Sequence, residues 1–162
     1  MTAANPTKVH LREVIKSDLD IFFEQQLDPE ANHMAAFTAK KPADRAAFNK
    51  HWAKIMADDT IPIETILVDS KIAGYILCHG WFGEPELSYW IGKPFWGKGI
   101  ATAALAQFLQ EQTTRPLFAR VAKDNLGSKR VLEKCGFLFF GRDRGYANAR
   151  GTEIDEIILK LK

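Results

Sequence analysis

The sequence predicts an α/β (α+β) domain built on a mixed, mostly antiparallel central sheet of about six or seven strands flanked by about four helices. Three observations carry this reading. Between Ile61 and Ile91, three runs rich in apolar residues follow one another with short turn signals between them, as a strand meander requires. Two segments of helical periodicity precede these runs. After them, helix and strand alternate, which calls for crossover connections and helices packed on the sheet faces.

Val9 to Ile15 alternates as a strand does. Ser17 then offers an N-cap, Asp18 and Asp20 occupy the first turn, and Leu19, Phe22, Phe23 and Gln26 continue a helix that Asp28-Pro29 should end. Pro42 and Asp44 open a second helix with Phe48, Trp52, Ile55 and Met56 on one face. Ile61 to Val68, Ile72 to Phe82 and Leu87 to Ile91 are the meander strands, joined by Asp69-Ser70-Lys71 and Gly83-Glu84-Pro85. Ile100 to Gln112, rich in Ala, Leu and Gln, is the strongest helix former in the chain. Leu117 to Ala122 is a short strand, and Leu126 to Cys135 a helix stopped by Gly136. Phe137 to Gly141 and Ile154 to Leu161 close the sheet across a polar loop from Asp143 to Gly151.

The 162 residues fit one domain, residues 1–162, with no repeat, linker or low-complexity tract to divide it. Lys plus Arg number 22 and Asp plus Glu 20, a net charge of +2 that argues against a nucleic-acid partner. Cys78 and Cys135 are too few for a disulfide framework and form no CxxC pair. Residues 1–8 lack the apolar stretch of a secretory signal, and no apolar run approaches the ~20 residues needed to span a bilayer. A cytoplasmic protein without membrane partners is therefore expected. His10, His33, His51 and His79 are scattered without HExxH or Cys/His spacing, so no metal is expected.

The stretch from Lys93 to Ala101 carries the most chemical information. Glycines let successive backbone N–H groups converge, and the start of the following helix adds partial positive charge, which together suit a phosphate. A tight turn whose glycines only satisfy geometry is the plain alternative. Two well-known phosphate loops fail here. Gly92-x4-Gly97-Lys98 begins like a Walker A loop, but Gly99 stands where Ser or Thr must hold magnesium. The dinucleotide fingerprint needs Gly or Ala at position 102, where Thr102 stands.

The same stretch resembles the pyrophosphate loop of the GNAT acetyltransferase superfamily, written Gln or Arg, x, x, Gly, x, Gly or Ala. Gly99-x-Ala101 matches, and Trp96 replaces the usual Gln or Arg. Glu86 to Gly92 with Phe95 to Thr102 is similar to the ribosomal-protein alanine N-acetyltransferase branch, which often carries an aromatic residue before Gly-Lys-Gly. Asn125-x-x-Ser128, followed by an apolar pair and Gly136-Phe137, resembles the family's second cofactor motif, with one helix and one strand between the two motifs. The resemblance covers the whole chain in element order and implies a GNAT-like fold.

It also implies transfer of an acetyl group from acetyl-CoA to an amine by direct attack. The strand edge at Trp90, Ile91 and Gly92 should pair with the pantetheine amides. The backbone of Trp96, Gly97, Lys98, Gly99, Ile100, Ala101 and Thr102 should take the pyrophosphate, and Asn125 and Ser128 should reach the pantetheine arm. An alkylammonium with pKa near ~10 must lose a proton before attack, whereas an α-amino group near ~8 needs less help. Glu86 is the implied base, directly or through water, against a plain reading as a solvated charge after Pro85. Many members carry a Tyr where Leu132 stands, so Ser128 is the implied donor to the departing thiolate, with Tyr89 and Tyr146 as reserves. Ser128 read plainly is a helix-start hydroxyl.

His33, Met34 and Phe37, in what should be an inter-helix loop, are candidate acceptor contacts, with Trp81 at a strand end, Tyr89, and Tyr146 in the closing-hairpin loop. The acceptor is a peptide or protein N-terminus or a small-molecule amine, and the protein a monomer or homodimer. Two other classes compete: a non-catalytic acyl-CoA-binding module, because the family Tyr is missing and Trp96 is atypical, and a nucleotide phosphohydrolase, from the near-Walker segment. No Gly-x-Ser-x-Gly elbow supports serine-hydrolase chemistry.

Overall fold

The computed structural model describes residues 8–80 and 83–162. Trp81 and Phe82, the end of an expected strand and one expected acceptor contact, lie outside the described residues. Strand β1 (Val9–Glu13) leads into helices α1 (Asp18–Gln26), α2 (Pro29–Ala35) and α3 (Arg45–Ala57). Strands β2 (Ile63–Val68), β3 (Lys71–Cys78) and β4 (Leu87–Ile91) form the meander. Helix α4 (Ile100–Glu111), β5 (Leu117–Ala122), α5 (Leu126–Lys134), β6 (Leu138–Ala147) and β7 (Thr152–Leu161) complete the chain.

The strands divide into two antiparallel sheets, β1-β2-β3-β4 and β5-β7-β6. They meet through a parallel bridge between Glu86 and Phe118, where the Phe118 N–H donates to the Pro85 carbonyl at 2.9 Å. The central sheet is therefore split between β4 and β5. One face of the meander packs under α4 and α5 on a core including Ile66, Ile76, Leu87, Ile91, Leu105, Phe108 and Leu132. The other face packs against α1 and α3 through Phe22, Phe48, Trp52 and Tyr75, whose rings stand about 5–6 Å apart.

Three local readings need correction. Asp28-Pro29 ends α1 but also starts α2, because Asp28 Oδ1 accepts from the Ala31 N–H at 2.9 Å and Pro29 fits a first helical turn. His33 and Met34 thus stand on a helix, and the helices number five among the described residues rather than four. Ser17 makes no side-chain cap. Asp18 is buried instead, at 1% exposure, taking Arg12 at 2.7 and 2.8 Å, the Ile15 N–H at 3.0 Å and the Thr65 hydroxyl at 2.7 Å. The expected polar loop from Asp143 is strand as far as Ala147. β6 lies at the sheet edge with little burial on either face, so it lacks the apolar alternation that would mark it.

Candidate active site

Because β4 and β5 part beyond their one bridge, a cavity of about 1250 Å³ opens between the sheets. A single small-molecule pocket takes about 300–1000 Å³, so the space suits two ligands meeting end to end. Strand alternation sends Leu87, Tyr89 and Ile91 toward the α4/α5 core, while Glu86, Ser88 and Trp90 turn to the α1/α3 side.

One end of the cavity is the start of α4. Gly97 (φ 72°) and Gly99 (φ 75°) hold left-handed backbone, and Gly99 is the helix N-cap. An added Cβ would meet nothing at either site, so the requirement is backbone conformation rather than space. The first helical bond runs from the Ala103 N–H to Gly99 O, so the preceding amides of the turn precede the intrahelical ladder. Trp96 donates its indole N–H to Ile91 O at 2.7 Å, tying the turn back to β4. The sulfur of Cys135 contacts Thr102 O at 3.8 Å, setting the end of α5 beside this turn. Arg130 and Lys134 on α5 line the cavity as well. The sequence reading missed both, although cations four apart after Asn125-x-x-Ser128 were a usable signal.

Of the residues expected to hold the cofactor, Trp90, Ile91, Trp96, Gly97, Gly99, Ile100, Ala101, Thr102, Asn125 and Ser128 line the cavity. Gly92 and Lys98 are not among its lining residues. Gly92 is buried with its N–H bonded to Ala73 O at 2.8 Å, and Lys98 is exposed on the outside of the turn. By strand alternation, the backbone groups of Trp90 and Gly92 face β3, so Tyr89 presents its N–H and carbonyl to the gap and Ile91 its N–H, the Ile91 carbonyl being held by the Trp96 indole. Asn125 caps α5 by accepting from the Ser128 N–H at 3.2 Å and donates to Met34 O at 3.2 Å, so both ends of its carboxamide are already bonded.

Glu86 sits at the hinge of the split. It is 6% exposed, which overturns its plain reading as a solvated charge. Burial pushes its carboxyl above the ordinary value, while Arg120, whose Nε donates at 3.1 Å, pulls it back. Arg120 also donates to Glu156 at 2.6 Å and Asp143 at 2.9 Å. Arg120 and Glu156 were not foreseen. The signal was an arginine inside the otherwise apolar strand Leu117 to Ala122, where only a partnered charge is tolerated.

Ser128 and Tyr89 come together, hydroxyl to hydroxyl, at 2.7 Å. Burial drives the Tyr89 phenol up to about 12 against the opposing bond from Ser128, so both are neutral hydroxyls near neutral pH. Among the expected acceptor contacts, Met34 and Phe37 line the cavity together with His51, Trp52, Tyr75 and Leu77. His33 does not: it is exposed on α2, and its carbonyl accepts from Arg150 at 2.7 Å. Tyr146 stands 62% exposed on β6, away from the lining.

A seven-stranded α/β fold split at one edge, with a glycine turn feeding a helix start into the split, defines the architecture of an acetyltransferase domain. Residues 8–138 match the acetyltransferase (GNAT) domain, and the chain belongs to the GNAT acetyltransferase family. It is 28% identical over 136 residues to the putative ribosomal N-acetyltransferase YdaF of Bacillus subtilis, across 77% of this chain and 74% of that protein. Its fold is that of Mycobacterium smegmatis RimJ in complex with CoA-disulfide (TM-score 0.79, 23% identity, covering 94% of this chain and 81% of that one). The spermidine N-acetyltransferase from Vibrio cholerae, in complex with CoA and spermine, shares it at TM-score 0.80 and 16% identity, covering 94% of each chain. No helix among the described residues is long and apolar enough to cross a membrane.

Proposed function

We propose that this chain, acting as one domain, is an N-acetyltransferase that moves the acetyl group of acetyl-CoA to a primary amine by direct attack. The observation that carries the reading is the split between β4 and β5, with a helix start at one end and a buried, partnered carboxylate at its hinge. Acetyl-CoA supplies an activated thioester carbonyl, at which the amine nitrogen forms the new C–N bond as the C–S bond breaks. The edge groups of Tyr89 and Ile91 receive the pantetheine amides as an added strand would. The turn from Gly97 to Thr102 receives the pyrophosphate, with Lys98, Arg130 and Lys134 adding positive charge around it.

Glu86 takes the proton that the amine loses. A carboxyl raised by burial is a better base for this than a solvated one, and Arg120 opposes the rise by favouring the ionised form. The Tyr89–Ser128 pair donates a hydrogen bond to the departing sulfur. A phenol near 12 is too weak an acid to surrender its proton to a thiolate whose own pKa is about 8.5, so the pair stabilises the thiolate rather than neutralising it.

Thiol release and CoA binding test these roles together. Glu86→Gln is expected to lower kcat/KM about 10²-fold or more with CoA affinity unchanged. Ser128→Ala is expected to lower it only about tenfold, because Tyr89 still donates. Full activity in both variants contradicts the assignment. CoA binding without thiol release on any amine favours a non-catalytic acyl-CoA-binding module instead.

A further inference from the structure

The far side of the cavity from α4 has a chemical character of its own. Its walls are Trp52, Tyr75, Leu77 and Trp90, with His51 and Phe37 at the rim. Tyr75 and Leu77 lie opposite Trp90 and Ser88 across the β3–β4 ladder, and Trp52 stands edge-on to Tyr75 at 4.8 Å. Ser88 is two residues from Glu86 on the same strand face, so this aromatic wall begins about 7 Å from the carboxylate.

Charge on this side is sparse. Among the described residues that line the cavity the carboxylates are Glu86 and Glu156, and both bind Arg120. Within this lining two negative charges face one positive, a net charge that matches a single ammonium group, while Asp143, the third partner of Arg120, stands half exposed outside the lining. A polyamine would carry further ammonium groups into aromatic walls where no carboxylate meets them.

The same side is stitched shut along α2. Asn125 donates to Met34 O at 3.2 Å, Arg150 to His33 O at 2.7 Å, the Ala149 N–H to Ala36 O at 3.1 Å and Asn148 to Thr38 O at 2.7 Å. These bonds tie α2 and the segment after it to α5 and to the turn between β6 and β7. The Phe37 ring lies over Gly145, where an added Cβ would already touch it. An extended polypeptide needs backbone partners along a groove, and on this side the carbonyls of His33, Met34, Ala36 and Thr38 are already taken.

Resting on the acetyltransferase reading, we infer that the acceptor is a small amine with one positive charge and an apolar, ring-sized body: its nitrogen lies at Glu86 and its body against Trp52, Tyr75 and Trp90. During transfer the ammonium first releases one proton to solvent, the neutral nitrogen bonds to the acetyl carbon as the C–S bond breaks, its second proton passes to Glu86, and CoA leaves as the thiolate.

Thiol release with acetyl-CoA and the full chain tests this with three acceptors: 2-phenylethylamine, spermidine and an alanine-initiated tetrapeptide. The expected kcat/KM is at least tenfold higher for 2-phenylethylamine than for either of the others. His51→Glu, on the exposed face of α3 at the rim, adds a second negative charge and is expected to raise the spermidine to 2-phenylethylamine ratio at least fivefold. A preference for spermidine or the tetrapeptide in the unmodified protein overturns the inference. If no amine releases thiol, the acetyltransferase reading fails by itself, and calorimetric titration of the CoA-saturated protein still decides the pocket's character. Tighter binding of 2-phenylethylamine than of spermidine upholds it, and the reverse order or no binding overturns it.

Discussion

In the proposed reaction, proton transfer rests on Glu86 and on the guanidinium of Arg120 beside it. Burial alone would drive Glu86 toward the neutral acid, which cannot accept a proton, and the guanidinium at 3.1 Å opposes that. The acid limb of kcat/KM should therefore lie above the ordinary carboxylate range, with activity falling as pH drops through it. Arg120→Met should move that limb upward, read from the pH profile of thiol release. An unmoved limb would show that Glu86 is not the titrating base. Asp18 is the structural counterpart. Burial raises its carboxyl, but hydrogen bonds from Arg12, Ile15 and Thr65 prevail and hold it below its ordinary value. Its stabilising contribution is therefore present above about pH 4 and lost as pH falls through the lowered value. Asp18→Asn should cost about 3 kcal/mol by chemical denaturation at pH 7 and much less at acid pH. The sequence showed both carboxylates but neither guanidinium partner, because a pair drawn from two strands or from strand and helix leaves no local pattern.

At the scale of elements, legibility followed burial. The meander, α4 and α5 bury one face each, so their apolar periods were readable, as were the Gly99 turn and the stop at Gly136. The second half of β6 buries little and was read as a loop, whereas α2 buries Ala31 and Asn32 but was read as a loop because Asp28-Pro29 reads as a stop as well as a start. The Asp28 cap and the cross-strand pair Arg144–Asp155 at 3.0 Å hold them instead. The meander contains one close approach that no pattern announced. A Cβ on Gly74 would stand 1.8 Å from the Trp90 carbonyl oxygen, a backbone atom that cannot step aside without moving β4. Gly74→Ala should cost about 3 kcal/mol in thermal or chemical unfolding and, on the proposed role of the β4 edge, weaken CoA binding. At Gly99 the cost has a different origin: with open space around the Cβ and a φ of 75°, Gly99→Ala should lose about 1–2 kcal/mol from backbone conformation alone.

For the whole molecule, a net charge of +2 is compatible with an anionic cofactor because the positive potential is local, at one helix start and a few cations on α5. Stability should show opposing pH dependences within one fold. Glu64 is raised to about 7 by burial and by the neighbouring Glu111, so its stabilising contribution is full below about pH 4.5 and lost as pH rises through 7. Glu64→Gln should thus stabilise the protein by about 1 kcal/mol at pH 8, after solvent screening, and change nothing at pH 4. The arrangement of the whole fold around a split sheet meets its most direct test in one assay. The purified protein is incubated with acetyl-CoA and 2-phenylethylamine, and thiol release is measured alongside the mass of the amine product. Stoichiometric thiol and N-acetylated amine, both lost in Glu86→Gln while CoA still binds, are the predicted result. Thiol release without acetylated amine, or equal turnover in Glu86→Gln, would contradict it.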